Sequence, residues 1–369
     1  MKIVYMVVKG MPYGAGIEKY TEEIGSRLVK RGHEVVVYSM KGTGVKDGGV
    51  YRGMKIKTVP AINSKSLQKL SASLFSSVKQ LLEPDCDIVH FHAFGPAVFS
   101  FLPRLRGRKV VVQGHGLEWK RSRWGLGGRL FLKFTEAPSV KFPHVLTVVS
   151  NVQKEYIKNK YGRESVYIPT GVNPPKMRKP SLIKKRWGLS ERDYILFAAR
   201  LVPEKGAHYL IEAFKSTRPA GLKLVIAGDA PHEEEYKRRL KALAGGDPDI
   251  IFTGHASGET LEELFSNPYL FVLPSETEGL PTALLEAMSY GNACLVSDIP
   301  ENIEALNSLG FTFRTKDADD LAEKIKALSG EGAKIEKLRP KAKKYVLENF
   351  SWDNIAVEFE ELYKKALTN

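Results

Sequence analysis

The sequence predicts two doubly wound α/β domains in series, closing on a helical tail. Three observations carry this: the chain is 369 residues long, apolar runs alternate with helical-period segments in both halves, and one Pro-rich break separates the halves. At about 150 residues per domain the length suits two. The apolar runs are short and rich in β-branched residues without strict alternation, as in strands buried on both faces of a parallel sheet. Strand–helix alternation of this kind builds doubly wound sheets.

In the first half, strands are expected over 2–8, 34–39, 55–59, 87–91, 109–113 and 145–149, with helices over 17–31, 64–82 and 151–161. The first helix shows its stripe plainly in Ile17, Tyr20, Ile24 and Leu28. Residues 168–190 then hold Pro169, Pro174, Pro175 and Pro180, which is linker chemistry. Alternation resumes with strands over 194–199, 222–227, 250–252, 270–273 and 293–296. The intervening helices cover 203–216, 232–244, 261–266 and 282–290. Beyond residue 320 the pattern is helical only, and its last helix is expected over 354–366. The expected division is a first domain over 1–168, a linker over 169–190 and a second domain over 191–349, with 350–369 packing back on the first.

Composition narrows the function classes. At 43% hydrophobic and 27% charged residues the chain resembles ordinary globular proteins, which excludes disordered, collagenous and coiled-coil classes. No apolar stretch approaches the roughly 20 residues that span a bilayer. The N-terminal run reads as a buried strand, not a signal peptide. Cys86 and Cys294 lie far apart without metal-ligand spacing, so neither a disulfide framework nor a zinc site is expected, and a cytoplasmic location fits. The net charge of +14 is one-sided: residues 1–165 carry 28 Lys and Arg against 12 Asp and Glu, and residues 166–369 carry 28 against 30. The excess is densest in Arg104, Arg106, Arg108, Lys109, Lys120, Arg121, Arg123, Arg129 and Lys133. Such a surface attracts polyanions: nucleic acid, anionic lipid or phosphorylated substrate.

Three segments carry chemistry. After the first strand, KGMPYGAGIEKY places Gly14 and Gly16 just before a helix, where bare backbone and helix N–H groups can approach a phosphate. FAARLVPEKG sets Arg200 and Lys205 past a buried strand, two cations for a diphosphate. PSETEGLPTALLEAMSYG places Glu278 in a loop and Glu286 in the following helix, with Gly279, Leu280 and Pro281 between them at the helix start. Carboxylates accept paired hydrogen bonds from vicinal diols, so this segment offers two hydroxyl acceptors around an anion cradle. His90 and His92 alternate along a strand end, where a metal site needs ligands the sequence does not place. His33 and His208 read as surface or packing residues.

Taken together, GAGIEKY, RLVPEKG and EGLPTALLE followed by AMSYG, with RGHEVVVY, PDCDIVHFH, VVVQGHGLEWKR, IIFTGHAS and YVLENFSWDNIA in order, resemble a retaining glycosyltransferase of family 4. The likeness covers essentially the whole chain, and GHGLEWKRSRWG resembles a subgroup that builds surface polysaccharides or lipid-linked glycans. The resemblance implies the GT-B fold, in which two Rossmann-like domains face each other across a cleft and a C-terminal helical tail returns to the first. The first domain would bind the acceptor and the second a nucleotide-sugar donor carrying UDP, GDP, dTDP or ADP. It further implies that Glu286 binds the ribose, that Glu278 and Gly279–Pro281 contact the transferred sugar, and that Arg200 and Lys205 neutralise the leaving diphosphate. Gly14 and Gly16 would approach the diphosphate, His115 the reacting sugar carbon, and Thr253, Gly254 and His255 the nucleotide. No cofactor and no metal are implied. Two positions depart from the family pattern: Ala293 replaces a usual proline, and the turn at Thr170–Asn173 reads Thr–Gly–Val–Asn. Small changes of loop geometry are expected at both.

Peripheral contact with anionic membrane at the inner face is expected from the basic first half. There Trp119, Trp124, Leu126, Leu130, Phe131 and Phe134 interleave with Arg and Lys as in an interfacial helix. The alternative enzyme on this fold is a nucleotide-sugar epimerase, which needs donor alone. Nucleic acid is not an expected partner, because no recognition motif accompanies the charge.

Overall fold

Parallel strands that are apolar on both faces demand helices on both sides, and the chain meets that demand twice. A computed structural model describes residues 1–12, 16–64, 67–83, 86–120, 124–231 and 233–368. They fall into two compact units, one of residues 1–171 with 352–369, the other of residues 172–351.

In the first unit the described elements run β1 (Lys2–Val8), α1 (Gly16–Lys30), β2 (Glu34–Met40), β3 (Val50–Tyr51), β4 (Met54–Val59), α2 (Gln68–Leu82) and β5 (Ile88–His92). They continue with α3 (Phe101–Leu105), β6 (Lys109–Gly114), α4 (Leu126–Lys141), β7 (Val145–Val148), α5 (Asn151–Tyr161) and β8 (Val166–Tyr167). The sheet order is β3-β4-β2-β1-β5-β6-β7-β8, parallel except for the β3–β4 hairpin at the edge. The connection reverses direction between β1 and β5, the point where open α/β sheets bind ligands at their strand carboxyl ends.

The second unit begins with α6 (Leu182–Trp187), β9 (Tyr194–Ala198), α7 (Ala207–Thr217), β10 (Lys223–Ala227), α8 (Glu234–Ala244), β11 (Ile250–Gly254) and α9 (Gly258–Ser266). It continues with β12 (Leu270–Leu273), α10 (Thr282–Ser289), β13 (Cys294–Ser297), α11 (Pro300–Leu306), β14 (Phe311–Phe313), α12 (Ala318–Ser329) and α13 (Gly332–Asn349). Its sheet order, β11-β10-β9-β12-β13-β14, reverses between β9 and β12. Within 169–190, α6 is anchored by Glu263 of α9, whose carboxylate receives the backbone N–H groups of Ser181, Leu182 and Ile183. Burial pushes the Glu263 carboxyl up, but those three donors outweigh it and hold it below the usual range.

The final helix, α14 (Trp352–Thr368), belongs to the first unit. Trp352, Ile355, Ala356, Phe359, Tyr363 and Ala366 are buried on one stripe against Ile3, Tyr5, Tyr20 and Ile24. Each large side chain so buried contributes about 1.5–3 kcal/mol. Gly171 lies so close to Trp352 that a Cβ there would stand 2.6 Å from the indole. On the polar side of α14, Glu360 meets Lys364 at 2.6 Å and pairs with Arg31. Lys364, then Arg31, hold its carboxyl down to about 2.

The opposite face of the first sheet is covered by α2, α4 and α5, which bury Ala72, Val140 and Ile157 on Val89, Val110 and Val112. The helix expected over 64–82 is described as α2 from Gln68; residues 65–66 lie outside the described residues. The expected helix over 203–216 is split: Pro203–Lys205 forms a tight 3₁₀ turn, Gly206 takes a left-handed φ of +71°, and α7 starts at Ala207.

Candidate functional site

The reversal between β9 and β12 brings two loops of the second unit together. The loop after β9 carries Arg200 and Lys205; the loop after β12 carries Ser275, Glu276 and Glu278. Glu276 donates its backbone N–H to the Glu204 carbonyl at 2.9 Å, stitching the loops. Lys205 Nζ meets Glu278 Oε1 at 2.5 Å, and Ser275 Oγ donates to the same oxygen at 2.7 Å. The Glu278 side chain is only 7% exposed, so both partners fix its orientation. Glu276 faces elsewhere, accepting from Tyr209 Oη at 3.0 Å and pairing with Lys316 at 2.9 Å. The packing leaves no room for a side chain at Gly206, where a Cβ would lie 2.0 Å from the Pro274 carbonyl oxygen.

Beside these loops a pocket of about 190 Å³ opens at the carboxyl ends of β9, β10 and β11. Ala198–Arg200 and Ala227–Asp229 form its floor, His255, Ala256, Leu261 and Phe265 its wall, and Glu286 reaches it from α10. Gly228 is required there, because its φ is +152° and a Cβ would stand 1.9 Å from the Ala199 carbonyl oxygen. Lys237 at 2.8 Å, then the Ala230 N–H at 2.7 Å, hold Asp229 below the usual carboxylate range. Behind the pocket, Tyr290 stacks on Phe265 with centroids 5.5 Å apart. Burial, then the Glu286 carboxylate, pushes the Tyr290 phenol up to about 12.

Gly279, Leu280 and Pro281 lead into α10, and Pro281 supplies no side-chain cap to its first turn. Helix N–H groups at such a start attract anions. Thr253 and Gly254 end β11 next to the pocket without lining it; only His255 of that trio does. The second unit therefore gathers Arg200, His255 and Glu286 on one pocket, and Lys205 and Glu278 as a pair on the adjoining loops. Gly228, Asp229 and Ser275 are participants the sequence reading missed; the glycine directly after strand 223–227 was the available signal.

The first unit holds the remaining candidates. Gly16 is the exposed first residue of α1, whereas Gly14 lies outside the described residues. His115 follows β6, half-buried, its ring edge-on to Tyr20 with centroids 5.0 Å apart. Its Nε2 lies 3.2 Å from Nδ1 of His92 at the end of β5.

A separate surface of the first unit is apolar and basic. On α4, Leu126, Leu130 and Phe134 fall at successive turns and are 81%, 68% and 75% exposed. Arg129 and Lys133 interleave with them, and Lys133 Nζ lies 4.7 Å from the Trp119 ring centroid. Leu105 of α3 is also exposed, beside Arg104 and Arg106. Residues 95–145 contain two acids, Glu118 and Glu136. Glu136 is buried and receives Trp119, Tyr156, Lys160 and Tyr161. The sequence left open whether this helix faces a core. The structure buries Leu132, Thr135, Ser139 and Val140 and turns the larger apolar side chains outward.

Among the described residues no group of three or more His, Cys, Asp or Glu could hold a metal ion, and no helix is long and apolar enough to cross a membrane. Of the three Asp-x-Asp strings, those at 247–249 and 317–319 serve turns, where Asp247 pairs with Arg218 and Asp317 caps α12. In the string at 85–87, Asp87 accepts the Lys2 backbone N–H, while Asp85 lies outside the described residues.

Comparison with known proteins follows this division. Residues 14–176 match the family model for Glycosyltransferase Family 4, and residues 181–345 the model for Glycosyl transferases group 1. The GDP-mannose-dependent alpha-(1-6)-phosphatidylinositol monomannoside mannosyltransferase of Mycobacterium tuberculosis is 24% identical over 378 residues, covering 96% of this chain and 95% of that one. The UDP-Gal:alpha-D-GlcNAc-diphosphoundecaprenol alpha-1,3-galactosyltransferase of Escherichia coli is 30% identical over 251 residues, 64% of each chain. Among solved structures, sucrose-phosphate synthase from Thermosynechococcus elongatus superposes with a TM-score of 0.86 at 17% identity, over 100% of this chain and 99% of that one.

Proposed function

From the premise that this chain belongs to the group 1 and Family 4 glycosyltransferases with a GT-B fold, we propose that it moves a sugar, with retention and without a metal, from a nucleotide-sugar to a lipid-linked or glycan acceptor. The observation that carries this reading is the grouping of Arg200 and Glu286 on one pocket beside the Lys205–Glu278 pair. The names of the mycobacterial and Escherichia coli relatives, with their GDP-mannose and UDP-Gal donors and phosphatidylinositol and undecaprenol acceptors, support the substrate classes.

Breaking a sugar–diphosphate bond builds oxocarbenium character on the sugar and negative charge on the diphosphate. In this reading Arg200, Lys205 and the N–H groups opening α10 stabilise that charge, the task a metal performs elsewhere. Glu286 accepts the ribose hydroxyls, and Glu278 with Gly279–Pro281 holds the sugar. Thr253, Gly254 and His255 border the nucleotide. The acceptor attacks on the face the diphosphate leaves, and the departing phosphate takes its proton, which preserves the anomeric configuration.

A thermal-shift series with UDP, GDP, dTDP and ADP tests the reading. One nucleotide at 100 times its dissociation constant is expected to stabilise the second unit by about 2.7 kcal/mol. No shift with any of the four overturns it. NMR of the anomeric proton in the product tests retention.

The same reading places the enzyme at the inner membrane face. The outward stripe of α4 is the contact, with each nearby Lys or Arg worth about 1 kcal/mol at an anionic surface. The protein is expected to float with phosphatidylglycerol vesicles and not with phosphatidylcholine ones, and Leu130→Glu with Phe134→Glu to abolish flotation. Equal flotation of the double variant counts against this placement.

A further inference from the structure

The last paired residues of β12 and β13 are Leu273 and Val296. Just beyond them, side chains take over from the ladder. Ser297 Oγ donates to the Ser275 carbonyl at 2.5 Å, and Ser275 Oγ donates to Glu278 Oε1 at 2.7 Å. Behind Ser297 stands Asn302 of α11, whose Nδ2 reaches the Ser297 carbonyl at 3.1 Å and Ser297 Oγ at 2.9 Å. An amide nitrogen only donates and a carbonyl oxygen only accepts, which fixes the direction of these links. Asn302 gives both amide hydrogens to Ser297, and Ser297 gives its hydroxyl hydrogen to the Ser275 carbonyl.

Ser275, Ser297 and Asn302 are wholly buried, and Asn302 Oδ1 is buried with no donor among the described residues. An orphaned polar atom weakens a fold, and such local violations are expected where a site needs its geometry held. At the other end, Lys205 Nζ and Ser275 Oγ both take Oε1 of Glu278, and Oε2 has no donor among the described residues. The last torsion of a glutamate is broad and two-fold, so the side chain by itself does not decide which oxygen faces which way.

We propose that Ser297 and Asn302 are positioning residues for sugar transfer: they pin the Ser275 carbonyl, so that the Ser275 hydroxyl and Lys205 hold Glu278 Oε1 and leave Oε2 to accept a hydroxyl of the donor sugar. The proposal rests on the reading that Glu278 receives that sugar. It makes the end of β13 and the first turn of α11, which lie behind the site, part of what sets the rate. A carboxylate held from behind needs no reorganisation as the sugar distorts, whereas one free to turn meets the sugar in several orientations.

Crystals of the full chain read the geometry without a ligand. One orientation of the Glu278 carboxylate is expected in the parent, and a rotated or divided one in Ser297→Ala, which removes a single oxygen. An unchanged carboxylate in Ser297→Ala overturns the proposal. Transfer is followed in a single turnover, with the nucleotide-sugar of whichever diphosphate among UDP, GDP, dTDP and ADP stabilises the protein. Ser297→Ala and Asn302→Ala are each expected to lower the rate constant about tenfold while diphosphate affinity moves less than about twofold, and either variant carries the test alone. In a Glu278→Ala background the same substitutions are expected to change the rate less than about twofold, because their effect passes through that carboxylate. An equal loss in both backgrounds, the mark of a merely structural role, overturns the proposal, as does the parental rate in the single variants. Transfer unaffected by Glu278→Ala overturns the underlying site reading instead.

Discussion

Glu278→Ala is expected to lower the rate constant of transfer by about 10²–10³-fold while nucleoside-diphosphate affinity stays within about threefold. The carboxylate sits on the loop after β12, clamped by Lys205 and Ser275. In the proposed role as acceptor of a sugar hydroxyl, a carboxylate so rigidly held matters most when the sugar distorts toward the transition state, and little for binding the nucleotide alone. Its loss also leaves Lys205 without the partner that directs it. Single-turnover transfer and calorimetric titration with the diphosphate separate the two quantities. Equal losses in rate and affinity would mean that Glu278 binds nucleotide and not sugar, and would reverse the assignment of the two acids. Glu278→Gln, which keeps the shape and the Ser275 contact, should fall between parent and alanine variant.

Glu286→Ala is the complementary case: diphosphate affinity is expected to weaken by about 10- to 100-fold, since charge-assisted hydrogen bonds contribute about 1.5–3 kcal/mol. Glu286 projects from α10 into the pocket that Arg200 and Gly228 also line, and its charge is felt by Tyr290 behind it. Calorimetry measures the affinity, and an unchanged melting temperature without ligand confirms that packing is intact. Unchanged affinity would remove the ribose from this pocket.

Much of this was legible in the residues themselves. The stripe Ile17, Tyr20, Ile24 and Leu28 reads directly as α1 because its period of burial is the period of the helix. The buried strands of both sheets are readable as short apolar runs rich in β-branched residues. β3, β8 and β14 are two or three residues long, too short for any period to register. The motif acids and cations were found because they cluster in sequence. Asp229 and Gly228 were not, since what they meet lies on the neighbouring strand ends, and a glycine directly after a strand was the one sign of it. His92 and Thr21 are 71 residues apart and meet because β5 pairs with β1, the strand that leads into α1. The outward turn of Leu126, Leu130 and Phe134 likewise depended on which side of α4 met the sheet, a matter its sequence left open.

The return of α14 has a consequence for biosynthesis. On the ribosome, every strand of the first unit emerges before the second unit is made, yet the apolar face formed by Ile3, Tyr5 and Ile24 lacks its lid until residues 352–368 appear. Domains ordinarily fold in the order they are synthesised. Here the later unit has all its own elements in hand before α14 is made, and the earlier one waits, partly uncovered, for residues 352–368 to leave the exit tunnel.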